Sequence, residues 1–258
     1  MGGRLQPAVG QLYVRSWHGA GDASSTPPVV LLHGAVIAGD YMAPLGRALG
    51  RALRVYAPDL PGCGRSNRVE MPSDVEEIAR ALNAWMTAND HVGAVVVGNS
   101  MGCQVAAELA IRHPGSACGL VLVGPTLDPF ARSPLQLLAR SARVALNEPI
   151  PLHAIWLRDL MRAGLRGATR ALRSSVVHHI DERLEHVPIP TLIVRGEKDR
   201  LVSQRWAEAA TRMLPAGELF VVMGAGHAAH YSRPSEVAEA IVSFLARHRL
   251  APGLRQPI

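Results

Sequence analysis

Three residues of this sequence, Ser100, Asp199 and His227, are of the types and in the settings that nucleophilic attack on a carbonyl requires. Ser100 is the centre of Gly98-Asn99-Ser100-Met101-Gly102, which follows the apolar run Ala94-Val95-Val96-Val97 and opens a helical pattern over 101–113. A strand turning sharply into a helix holds such a serine exposed at the strand's carboxyl end. A hydroxyl is a weak nucleophile until a base accepts its proton, so Ser100 needs a histidine and an acid to orient that histidine. Asp199 stands in Gly196-Glu197-Lys198-Asp199-Arg200, after one apolar run, and His227 in Gly224-Ala225-Gly226-His227-Ala228-Ala229-His230, after the next. Two rivals stay open on the residues alone: His230 as the base, and Asp128, just beyond Gly124-Pro125-Thr126-Leu127, as the acid. Glu197 and Glu108 read as surface or helix-face carboxylates.

The elements that must position these residues alternate. Short apolar runs at 29–32, 54–57, 94–97, 120–123, 191–195 and 218–222 read as buried strands. Residues 11–17 read as an antiparallel edge. Helical patterns at 41–51, 75–89, 101–113, 204–214 and 235–248 lie between them. This alternation predicts an α/β fold, a mostly parallel twisted sheet with helices on both faces. In such sheets, functional residues collect in loops at the carboxyl ends of strands, which is where Ser100, Asp199 and His227 fall. Ser73 followed by Glu76 predicts a capping box at the second helix. Pro114 and Gly115 end the third. Residues 126–188, rich in Arg, Leu and Ala, hold no convincing strand and read as a helical insertion, leaving 1–125 and 189–258 as the core.

With 258 residues and 48% hydrophobic content the chain can bury a large core. Its net charge of +6 comes from arginines scattered along the chain, with a single lysine, Lys198, so no nucleic-acid partner is expected. Three cysteines, Cys63, Cys103 and Cys118, have no metal-like spacing and suit a reducing compartment. No run reaches the roughly 18 apolar residues of a membrane span, which makes a cytoplasmic protein off the membrane the expectation. The glycine-rich loops lack a dinucleotide fingerprint and the histidines lack zinc-like pairing, so neither cofactor nor metal is expected. Monomer and homodimer are equally compatible with the sequence.

Ser100, Asp199 and His227 in this chain order, His33-Gly34 after the first parallel strand, and Asp59-Leu60-Pro61-Gly62-Cys63-Gly64-Arg65-Ser66 after the second together resemble the α/β-hydrolase fold family over nearly the whole chain. The resemblance implies Ser100 as nucleophile, His227 as general base and Asp199 as orienting acid. It also implies an oxyanion hole made by the backbone amides of Ala35 and Met101. His33 would shape the turn presenting Ala35, and Asn99 would point away from the reaction. Cys103 would be a small buried hydrophobe.

In that family an insertion such as 126–188 covers the site and helps select the substrate. Here Trp156, Leu157, Leu160, Met161 and Leu165 are expected on one apolar helical face, with Trp156, Leu160 and Met161 as pocket residues. Arg158, Arg162, Arg166 and Arg170 recur every four residues as a basic stripe that Asp159 and Glu148 are too few to neutralise. The implied activity is hydrolysis of a small-molecule carboxylic ester, lactone or thioester. Carbon–carbon hydrolysis of a ring-fission diketone is the alternative, since relatives with that activity share the Gly-Asn-Ser-Met-Gly elbow. Against it stand Ala35-Val36-Ile37-Ala38 where those relatives are glycine-rich, and Ala228 where they carry tryptophan. Acyl transfer or lactonisation would use the same residues. Ser100 argues against dehalogenase and epoxide-hydrolase chemistry, which uses aspartate, and a non-catalytic small-molecule receptor is the non-enzymatic reading.

Overall fold

The computed structural model describes residues 12–18, 26–66, 72, 74–131, 140, 143, 144 and 147–251. Seven strands form one sheet: β1 (Val14–Trp17), β2 (Val29–Leu32), β3 (Val55–Pro58), β4 (Ala94–Asn99), β5 (Ala117–Val123), β6 (Thr191–Gly196) and β7 (Gly217–Val222), in the order β1-β3-β2-β4-β5-β6-β7. Only β1 runs antiparallel, on β3. The helices whose bounds are described are α1 (Ala43–Leu49), α2 (Val75–Ala88), α3 (Met101–Arg112), α4 (Ile150–Val177), α5 (Gln204–Met213) and α6 (Pro234–Arg247), with a short helix Ala229–Ser232 before α6.

Strand side chains alternate between two apolar layers because successive Cβ atoms leave opposite faces of a sheet. Val30, Leu32, Val96, Leu120 and Leu122 pack with Ile78, Leu82, Leu109 and Trp206 of α2, α3 and α5. Val29, Leu31, Val95, Val97, Val121 and Val123 pack with Leu45, Leu49, Ile241 and Phe244 of α1 and α6. Buried on both faces, β2, β4 and β5 are therefore continuous apolar runs rather than alternating ones.

Two local expectations are corrected. Asp74, not Ser73, caps α2, accepting from Glu77 N at 2.8 Å; Ser73 lies outside the described residues, as does Gln11 of the expected edge strand. Glu108 is no surface carboxylate. It is fully buried on α3 and binds Arg112, His178 and Arg183, the last two at the far end of the segment between β5 and β6. Burial alone would raise its carboxyl, but hydrogen bonds from His178, Arg183 and Arg112 outweigh it and hold it at about 2.

That segment between β5 and β6 contains no strand among its described residues. α4 is not one continuous helix either: Gly164, at φ 64° and ψ 174°, breaks it. Arg158 and Arg162 therefore do not continue into Arg166 and Arg170 as one stripe, which corrects the spacing argument. Arg158 is also neutralised, by Asp159 and by Asp40, each at 2.9 Å. Asp159 is buried and accepts from Ala38 N at 3.1 Å, tying α4 to the loop after β2.

Candidate active site

The turn between β4 and α3 puts Ser100 at φ 55° and ψ −119°, a region disfavoured for any residue with a Cβ. Holding it there costs on the order of 1–3 kcal/mol and persists only where the surroundings enforce it. The flanking glycines explain how they do. A Cβ on Gly98 would collide with the Gly102 carbonyl, and one on Gly102 would lie 2.5 Å from the Leu32 carbonyl oxygen. Both glycines are required for β4, α3 and β2 to approach this closely.

His227 and Asp199 meet at the same end of the sheet. His227 Nδ1 donates to Asp199 Oδ2 at 2.8 Å. Asp199 Oδ1 accepts from the amides of Leu201 and Val202, so the carboxylate is fixed by its own loop. Gly124, at the end of β5, makes space for the pair: a Cβ there would stand 2.9 Å from the imidazole and 3.2 Å from Asp199 Oδ2. Burial pulls the imidazole pKa down, but the Asp199 charge and hydrogen bond, with a smaller contribution from Glu148, raise it overall. His227 Nε2 is buried and has no hydrogen-bond partner among the described residues.

Ser100 Oγ stands 3.3 Å from Thr126 Oγ1, and this hydroxyl pair, rather than a bond to His227, is what the structure contains. His227 and Ser100 are nevertheless carried by adjacent backbone. Ser100 N donates to Val123 O at 3.1 Å, and Asn99 Nδ2 donates to both Val123 O and His227 O, at 3.0 and 3.3 Å. Hydrogen bonds between catalytic groups commonly tighten only when substrate arrives.

The turn after β2 lies against the elbow, since a Cβ on Gly34 would stand 3.2 Å from Ser100 Cβ. His33 shapes this turn. Leu60 N donates to its Nε2 at 2.9 Å, so the ring proton is on Nδ1 and is donated to Gly34 O at 2.8 Å. Burial lowers the His33 pKa, consistent with that neutral tautomer. Beyond it, Val36 takes φ 58°, and Ala35 stands between His33-Gly34 and this strained residue. Met101 is the first residue of α3, so its amide has no acceptor within the helix.

Of the rivals, Asp128 is committed elsewhere, whereas both ring nitrogens of His230 are buried with no hydrogen-bond partner among the described residues. His230 is fully buried edge-on to Tyr41, with ring centroids 4.4 Å apart; burial, with the neighbouring His227 charge, pushes its pKa down to about 3. Asp128 accepts from Phe130 N, Ser203 N and Arg140. Cys103 is buried against Gly98 O, and burial raises its thiol. Of the three expected pocket residues, Leu160 packs on the apolar layer that includes Met101 and Val36, whereas Trp156 and Met161 are 48% and 69% exposed.

Residues 29–240 match the profile of the alpha/beta hydrolase family. The chain belongs to that family. It is 28% identical over 246 residues to a pimeloyl-[acyl-carrier protein] methyl ester esterase of Xanthomonas campestris pv. campestris, covering 85% of this chain and 95% of that one. It is 25% identical over 256 residues to a 2-hydroxy-6-oxo-6-(2'-aminophenyl)hexa-2,4-dienoic acid hydrolase of Metapseudomonas resinovorans, covering 88% and 86%. The fold matches that of a thermophilic esterase from Thermogutta terrifontis, with a TM-score of 0.75, 22% identity, and 92% and 93% of the two chains covered. These relatives are hydrolases, and with the family match they make this chain a member of a hydrolase family.

Sequence reasoning missed Asn99 as a positioning residue. Its side chain donates to the His227 carbonyl and accepts from Tyr41 OH at 2.9 Å. Thr126 and Glu148 were also missed as neighbours of Ser100 and His227. No local motif marks any of the three.

Proposed function

We propose that this protein is a serine hydrolase of a carboxylic ester, lactone or thioester, acting through an acyl-enzyme on Ser100. The observation that carries the reading is the strained Ser100 turn beside a buried His227–Asp199 pair whose imidazole Nε2 has no hydrogen-bond partner among the described residues. Ser100 Oγ turns from Thr126 to His227 Nε2, gives up its proton there and attacks the carbonyl carbon. Asp199 keeps the second ring proton on Nδ1 and stabilises the imidazolium. The Ala35 and Met101 amides receive the oxyanion; one such donor is worth about 3–4 kcal/mol. His227 returns the proton to the leaving group, and water repeats the attack on the acyl-enzyme.

Residues 126–188 act as the cap in this reading, with Leu160 the pocket residue favoured by its packing on the apolar layer that includes Val36 and Met101. Trp156 and Met161 would line the pocket only where it opens to solvent.

A second reading, cleavage of a dienoic acid such as the one in the Metapseudomonas relative's name, draws support from that similarity. It calls for a cation to hold the acid, and Arg158 and Arg162 are already engaged by Asp159 and Asp40. A panel of activated esters varying in acyl length and charge, with a ring-fission dienoic acid included, separates the two. Turnover of neutral esters, lost in Ser100→Ala, is the expected result. Equal turnover by Ser100→Ala would end the proposal, and preference for the dienoic acid would move the protein to the second reading.

A further inference from the structure

Glu148 stands two residues before α4, yet its carboxyl reaches the turn that carries His227. Oε1 accepts from Ala228 N at 2.9 Å, and Oε2 is buried with no hydrogen-bond partner among the described residues. The approach is close enough to constrain the sequence: a Cβ on Gly226 would stand 2.5 Å from Oε1 and 3.1 Å from the carboxyl carbon. From the core side, Asn99 holds the His227 carbonyl. The backbone around His227 is thus gripped at two points, one on β4 and one on the segment between β5 and β6.

The charged and titratable groups around the imidazole are few. Asp199 faces it from the loop after β6, Glu148 from the segment before α4, and His230 from the short helix. Tyr41 and Cys103 lie within reach of the same charges. Burial keeps His230, Tyr41 and Cys103 neutral at ordinary pH, which leaves Asp199 and Glu148 as the two groups among the described residues able to place negative charge beside the ring. Burial also raises the Glu148 carboxyl, against the opposing pull of the Ala228 amide and the His227 charge.

We propose that Glu148 is a positioning residue for the catalytic base: it anchors the turn carrying His227 to the segment between β5 and β6 and sets a second carboxylate beside the imidazole that Asp199 orients. The role rests on His227 being the base of the reaction proposed above. No proton passes to Glu148. The proton from Ser100 Oγ goes to His227 Nε2, and Glu148 stabilises the imidazolium through space while its Oε1 keeps the ring in register.

Glu148→Gln retains an oxygen for Ala228 N and removes the charge, Glu148→Asp retains the charge, and Glu148→Ala removes both. The measurement is kcat and KM for an activated ester between pH 5.5 and 9, with thermal unfolding and fluorophosphonate labelling of Ser100 on each protein. Glu148→Gln should lower kcat by about 3- to 10-fold at unchanged KM. Its imidazolium is less stabilised, so the acid limb moves down and the ratio of kcat/KM at pH 6 to that at pH 8 rises roughly two- to fivefold. Glu148→Asp should keep the wild-type profile, and Glu148→Ala should lose about 30-fold or more in kcat. A folded, labelled Glu148→Gln enzyme with wild-type kcat and pH profile overturns this role alone. An unlabelled Ser100, with esterase activity that survives His227→Gln, overturns the role together with the reading beneath it.

Discussion

Two carboxylate–histidine pairs lie buried in this molecule, Asp199–His227 at 2.8 Å and Glu108–His178 at 3.0 Å. Among the described residues, each histidine has one buried ring nitrogen without a hydrogen bond, and a buried serine hydroxyl without a partner, that of Ser174, stands one helical turn before His178. By residue type the second cluster matches the first. The carboxylates, however, are committed differently. Glu108 is saturated by Arg112 and Arg183, each at 2.7 Å, so little of its charge is left to stabilise an imidazolium. Asp199 spends one oxygen on two neutral amides and keeps the other for His227. Ser174 sits inside a helix whose amides are used, whereas Ser100 stands at φ 55° on a helix N-terminus where amides are free. In the function proposed above, uncommitted charge and a strained serine with free donors, rather than a carboxylate–histidine contact alone, are what separate these two regions.

The contrast is broken most directly at the serines. Ser100→Ala should cost about four orders of magnitude or more in kcat/KM for an activated ester, and Ser174→Ala should leave it unchanged. At the acids, Asp199→Asn should lower kcat by about 10³- to 10⁴-fold by losing both tautomer control and imidazolium stabilisation. The same change should move the acid limb of kcat/KM downward. In the wild type Asp199 raises the imidazole above its ordinary value of 6.5, so activity falls as the pH drops through that raised value.

Glu108→Gln should behave oppositely, with kcat unchanged per folded molecule and stability reduced by about 3 kcal/mol in urea unfolding, because Arg112 and Arg183 lose their buried anion. Folding depresses the Glu108 pKa from 4.5 to about 2, so its contribution is complete above 4.5 and is lost as the pH falls through about 2. The stability gap between wild type and variant should be constant from pH 6 to 8 and close below 4.5. The smallest effect is expected at Asn99. Asn99→Ala should reduce kcat roughly three- to tenfold with little change in KM, by releasing the His227 carbonyl.

What was legible in the sequence was local. Six parallel strands fall within three residues of their expected ends because each is a short apolar run closed by Gly, Pro or polar residues. Ser100 could be found because the strand, the turn and the helix that strain it are contiguous. Asn99, Thr126 and Glu148 could not, because their bonds to the site span 128, 26 and 80 residues and depend on which loops the sheet order brings together. The arginine stripe failed for the same reason in reverse. Four-residue spacing carries no information about Gly164 leaving helical geometry or about Asp40 arriving from the loop after β2 to take Arg158. Glu108 read as a surface or helix-face carboxylate because its partners His178 and Arg183 come from beyond α4.

Fluorophosphonate labelling followed by peptide mapping in a mass spectrometer tests Ser100 as the nucleophile without knowledge of the natural substrate. One phosphonyl group on the peptide that contains Ser100, absent in Ser100→Ala and strongly slowed in Asp199→Asn, is the predicted result. Folded protein that hydrolyses activated esters while Ser100 stays unmodified, or that carries the label on another residue, would contradict it.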